Sequence, residues 1–123
     1  MRDNDPQMTL ITCSGISNTG KLSSQAAQAL LMRKPGRVTW VRAAGPPKEL
    51  AAEAKDAEHL VILNGCSDCC ATKKLRAAGV EDRGTGLIIT DLGVEKNGMV
   101  EVSFAEIEVV VKGILEIMDR KRA

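Results

Sequence analysis

The sequence predicts an α/β fold: a three-layer sandwich with a four-stranded, mainly parallel sheet in the flavodoxin- or Rossmann-like order 2-1-3-4. Three observations carry this expectation. Four short, β-rich apolar runs recur along the chain, segments of helical character separate them, and Pro and Gly mark the junctions. Such alternation points to strands buried on both faces and joined by right-handed crossovers.

In chain order, residues 9–13 (TLITC), 38–41 (VTWV), 60–63 (LVIL) and 87–90 (LIIT) read as the strands. Helices are expected over 18–33, 47–57, 67–78 and 103–121. Pro35 and Gly36 close the first helix, Pro46 and Pro47 open the second, and Gly79 follows the third. Asn97 and Gly98 read as a tight turn that could join 92–96 to 99–102 as a small hairpin before the last helix. In that helix Phe104, Ile107, Val111, Ile114 and Met118 form one stripe, while Val109, Val110 and Ile117 lie off it. So wide an apolar face implies deep burial, or a homodimer formed through the C-terminal helix.

A length of 123 residues with 44% hydrophobic content suffices for one core, so 8–123 reads as a single metal-binding domain behind a disordered tail at 1–7. Seventeen basic against 16 acidic residues leave no field to attract nucleic acid or a membrane surface. An aromatic content of 2% removes the stacking platforms of single-strand binders. The first seven residues are polar where a secretory signal needs an apolar segment, so a cytoplasmic location is expected. The most apolar stretch, 107–118, is broken by Glu108, Lys112 and Glu116, which argues against a membrane span.

Four cysteines in a reducing compartment read as metal ligands or reactive thiols rather than a disulfide framework. In open parallel sheets ligands bind beyond the carboxyl ends of the strands, where the strand order reverses. Cys13 ends the first strand and Cys66 lies just past the third, so the two emerge from neighbours about 4.8 Å apart. Thiolates so placed can share a zinc ion at Zn–S distances of about 2.3 Å. Cys69 and Cys70 stand at the start of the third helix, where either could close the site and where the helix dipole favours thiolate. The C-x-x-C spacing of Cys66 and Cys69 supports an alternative, a thiol–disulfide redox protein, and an iron–sulfur protein with the same ligands is a third reading.

Residues 15–21 (GISNTGK) match the start of a phosphate-binding G-x-x-x-x-G-K loop, but Leu22 stands where a magnesium-holding Ser or Thr is required. A cysteine-phosphatase loop starting at Cys13 fails at Thr19, where the phosphoryl-clamping arginine should be. What remains is a polar turn of Ser14, Gly15, Ser17 and Asn18, able to cap the first helix or hold an anion. His59, the only histidine, falls at the opposite edge of the sheet and reads as a surface or structural residue.

The run CSGISNTG at 13–20, the triplet NGC at 64–66 with Cys70 and Ala71, and TDLGV at 90–94 together resemble the DGC-domain family of zinc-binding proteins. The resemblance covers most of the chain. It implies Cys13, Cys66 and Cys70 as ligands, with Cys70 favoured over Cys69, and attaches no reaction to the site. Asn64 stands where the name-giving triplet has Asp, Ser67 where Pro is usual, and Cys69 is additional and able to serve as a fourth ligand. If only three cysteines bind, Asp91 at the fourth strand end or a water completes the tetrahedron.

Overall fold

The computed structural model describes residues 7–13, 15, 17–80, 84–98 and 100–122. The tail expected over 1–7 lies, but for Gln7, outside them. Strand β1 (Met8–Thr12) leads into helix α1 (Asn18–Arg33), β2 (Val38–Arg42), α2 (Pro47–Asp56), β3 (His59–Asn64) and α3 (Cys70–Ala77). Strand β4 (Thr85–Ile88) then runs into a short 3-10 helix, Ile89–Leu92, and the chain ends in α4 (Phe104–Arg122). The four strands form one parallel sheet in the order β2-β1-β3-β4. This is the expected α/β sandwich.

The period of two along each strand divides the core between the two faces of the sheet. Leu10 of β1 and Val61 and Leu63 of β3 pack with Leu22, Ala26 and Leu30 of α1 and with Val110, Val111 and Ile114 of α4. Ile11, Leu60 and Ile62 face the other way, onto Leu50 and Ala54 of α2 and Ala71 and Leu75 of α3. The central strands β1 and β3 are therefore apolar on both sides, which their uninterrupted hydrophobic runs foretold. In register, Leu10 stands beside Val61 and Thr12 beside Leu63, and Cys13 continues the ladder by donating its N–H to Leu63 O at 3.2 Å.

The breadth of the apolar face on α4 is largely core, because Val110, Val111, Ile114, Ile117 and Met118 are all buried, while Phe104 and Val109 remain on the surface. Ser103 and Glu106 start this helix as a reciprocal capping box: Ser103 Oγ accepts from Glu106 N at 3.2 Å and Glu106 Oε1 accepts from Ser103 N at 2.9 Å. Arg33 at the end of α1 donates to both carboxylate oxygens of Glu108, tying the two helices of this layer together.

Two boundaries near the strand ends and one whole element differ from expectation. Helix α3 begins at Cys70 rather than 67, because residues 66–69 close a turn through a Cys69 N–H to Cys66 O bond of 3.0 Å. Strand β4 ends at Ile88, and Asp91 lies on the 3-10 helix that follows. The hairpin is also absent among the described residues, which hold no strand between Leu92 and α4; Met99 lies outside them. Its turn exists, with Gly98 at φ +60°, but the side chain and backbone of Asn18 take up the polar groups that a ladder would need.

Candidate functional site

The carboxyl ends of β1 and β3, side by side at the point where the strand order reverses, open onto a cavity of about 300 Å³. Cys13, just past β1, Cys66, two residues past β3, and Cys70, the first residue of α3, all line it. Ser17 and Thr19 at the start of α1 form the facing wall, and Lys96 reaches in from the loop before α4. Cys69 is not among the lining residues. It is the N-cap of α3, held at φ 50° and ψ 50°, and makes no side-chain capping bond. Asp91 is exposed and does not line the cavity either.

Two glycines explain how closely these segments approach. A Cβ on Gly65 would stand 2.9 Å from Thr19 Oγ1 and 3.2 Å from Thr19 C, so the end of β3 is pressed onto the first turn of α1. A Cβ on Gly20 would meet Gly15 O at 2.4 Å, so the turn after Cys13 folds flat against the helix it precedes. Without these close contacts Cys66 and Cys13 could not open on one space.

The sulfurs have partners of their own. Cys13 Sγ donates to Ser23 Oγ at 3.7 Å, and Ser23 Oγ in turn donates to Gly20 O at 2.7 Å. Lys96 Nζ donates to Cys66 Sγ at 3.5 Å and lies 3.9 Å from Asp68 Oδ2. That hydrogen bond and the charge attraction of the same sulfur hold the Lys96 ammonium above its ordinary value, with smaller attractions from Asp68 and Cys70. Among the described residues, no three His, Cys, Asp or Glu side chains are grouped to hold one ion in this arrangement. The three thiols share a cavity, while Cys13 and Cys66 each face a neighbour of their own.

Of the polar turn expected to hold an anion, Ser17 is the N-cap of α1, its Oγ accepting from Gly20 N at 3.3 Å, and Gly15 lines the cavity; Ser14 lies outside the described residues. Asn18 does something else. It is buried and faces away from the thiols, where its Nδ2 donates to Glu95 O at 2.8 Å, its Oδ1 accepts from Asn97 N at 2.7 Å and its own N–H donates to Gly98 O at 2.6 Å. His59, as expected, begins β3 beside Met8, at the edge of the sheet opposite the cysteines.

The family model of the DGC domain matches residues 9–114, from the first strand to the middle of the last helix. The chain belongs to the DGC-domain family. No curated protein and no solved structure gives a match.

In this DGC domain the first position of the triplet is a structural anchor. Asn64, 2% exposed, accepts from Ala71 N at 2.9 Å and Thr72 N at 3.3 Å through Oδ1, and its Nδ2 donates to Thr72 Oγ1 at 2.9 Å. It caps α3 from the end of β3, a service that Cys69 does not perform, and so fixes where Cys70 points. An Asp in this place keeps the Oδ1 acceptor, so the change to Asn preserves the cap and alters only the charge. The sequence reading missed Asn64 as a cap and Lys96 altogether. A faint signal existed for Asn64, since an Asn or Asp a few residues before a helical pattern can reach forward over a turn to cap it, but none existed for Lys96.

Proposed function

We propose that this chain binds zinc through Cys13, Cys66 and Cys70, as a metal-binding protein with a three-thiolate site at the head of the sheet. The observation that carries the reading is that thiols from three separate places in the fold, just past β1, just past β3 and at the start of α3, line one cavity. The donor set fits, since zinc takes thiolate sulfur readily, and binding would turn the three side chains from their present directions toward a common point. Three protein sulfurs leave a fourth tetrahedral position for water or a ligand, the arrangement of sites that exchange a ligand rather than merely brace a fold. A cytoplasmic location goes with this reading, because thiols stay reduced there.

The test is a preparation under anaerobic conditions, analysed for metal, visible absorption and free thiols, on the wild type and four Cys→Ser variants. The expected outcome is one zinc per chain, lost together in Cys13→Ser, Cys66→Ser and Cys70→Ser and retained in Cys69→Ser. Loss in Cys66→Ser alone would break the shared-ion argument. A reversible Cys66–Cys69 disulfide in metal-free protein would favour the thiol–disulfide alternative, and broad absorption at about 400 nm would favour an iron–sulfur cluster.

A further inference from the structure

Lys96 sits on a loop with no regular structure, yet its ammonium stands within 3.5 Å of Cys66 Sγ, and that placement is built rather than incidental. The residues on either side of Lys96, Glu95 and Asn97, are both bonded to the buried Asn18, and Gly98 accepts from the Asn18 N–H. Asn18 is in turn fixed one residue after the Ser17 N-cap in the first turn of α1, so the loop is fastened to the same helix start that forms the far wall of the thiol cavity. The backbone carrying Lys96 is thus held on both sides by one rigid residue.

We infer that Lys96 is a positioning residue of the thiolate site, donating a hydrogen bond to the Cys66 sulfur and balancing the charge of the bound metal, with Asn18 as the clamp that holds it there. This rests on the zinc reading above. A divalent ion with three thiolates carries one net negative charge, and an ammonium at hydrogen-bond distance offsets it, an attraction that solvent partly screens because Lys96 is exposed. Partners of metal ligands set both the orientation and the donor strength of those ligands, and removing one typically lowers affinity by about 10–100-fold. Asp68 Oδ2, 3.9 Å from Nζ, is a second, exposed partner of the same ammonium.

The experiment measures zinc affinity by chelator competition, and the sulfur-to-metal charge-transfer band of the cobalt(II) form, in wild type, Lys96→Met, Lys96→Arg and Asn18→Ala, with Lys112→Met as a charge control on the exposed side of α4. Lys96→Met is expected to weaken zinc by about 10–100-fold and shift the cobalt band, Lys96→Arg to restore most of both, and Lys112→Met to change neither. Asn18→Ala, where it folds, should weaken zinc although Lys96 is present, and combining it with Lys96→Met should cost little more than Lys96→Met alone. Lys96→Met with wild-type affinity and an unshifted band overturns the inference while the zinc reading stands. Equal weakening in Lys112→Met also overturns it, by reducing the effect to net charge. A wild type that takes up neither ion overturns the zinc reading, and this inference with it.

Discussion

At the start of α3 the first backbone N–H groups need acceptors, and the N-cap residue Cys69 offers none from its side chain. Asn64 supplies one from six positions earlier than the helix, at the end of β3, and being 2% exposed it has no water to replace what it would lose. Asn64→Ala should therefore lower unfolding free energy by about 1–3 kcal/mol, measured by urea titration, since it leaves buried donors unsatisfied. Asn64→Asp, which keeps the acceptor, should lose much less. Cys69 itself is the non-glycine residue with positive φ among those described. Left-handed backbone costs a residue with a Cβ about 1–2 kcal/mol, so Cys69→Gly should hold or raise stability by up to about 1 kcal/mol after its added unfolded-state entropy is counted. The same variant should bind zinc as the wild type does; a drop in metal content would show that Cys69 turns into the cavity after all.

Between elements, the decisive contact is the end of β3 against the first turn of α1. Gly65→Ala places a methyl group 2.9 Å from Thr19 Oγ1 and 3.2 Å from backbone, which only a shift of β3 relative to α1 can relieve. A loss of about 1–3 kcal/mol in thermal or urea unfolding is expected, together with weaker metal binding because Cys66 moves away from Cys13. This is also the scale at which the sequence was most and least legible. The strand order and the meeting of Cys13 with Cys66 followed from alternation alone, since parallel strands must bring their carboxyl ends to one edge and the switch point selects β1 and β3. The hairpin expected around Asn97 and Gly98 failed because its signal was local and its competitor was not. The turn residues are as expected, but Asn18, some 80 residues earlier in the chain, binds three of the loop's polar groups. A single long-range side chain of that kind leaves no periodicity to read. Lys96 was invisible for the same reason, being one exposed lysine among many until the loop's anchor is known.

For the molecule as a whole, the layer of α1 and α4 is fastened at one edge by Arg33 and Glu108. The guanidinium hydrogen bond, reinforced by its charge, holds the Glu108 carboxyl below its ordinary value of 4.5, and the same pair raises Arg33. A carboxyl lowered in the folded state contributes stability that is present above its unfolded value and lost as pH falls through the folded one. Arg33 stays charged throughout that window, so Glu108 alone sets the acid limit. Both groups are exposed and screened by solvent, so the contribution is small. Wild type should exceed Glu108→Gln in urea midpoint at neutral pH, and the gap should close as pH falls below the ordinary carboxylate range and through the lowered Glu108 value; a gap that persists in strong acid would mean the pair is not the source. Raising the salt concentration should narrow it as well.

The all-parallel order β2-β1-β3-β4 also sets a timetable for the nascent chain. During synthesis Cys13 leaves the ribosome before Cys66, and no second cavity sulfur can join it until β3 has emerged and inserted beside β1, a long-range pairing that is slow to form. The loop bearing Lys96 emerges later still, after β4. There is thus an interval in which the cavity sulfurs can meet without the ammonium; arrival of the loop bearing Lys96 and of α4 closes that interval.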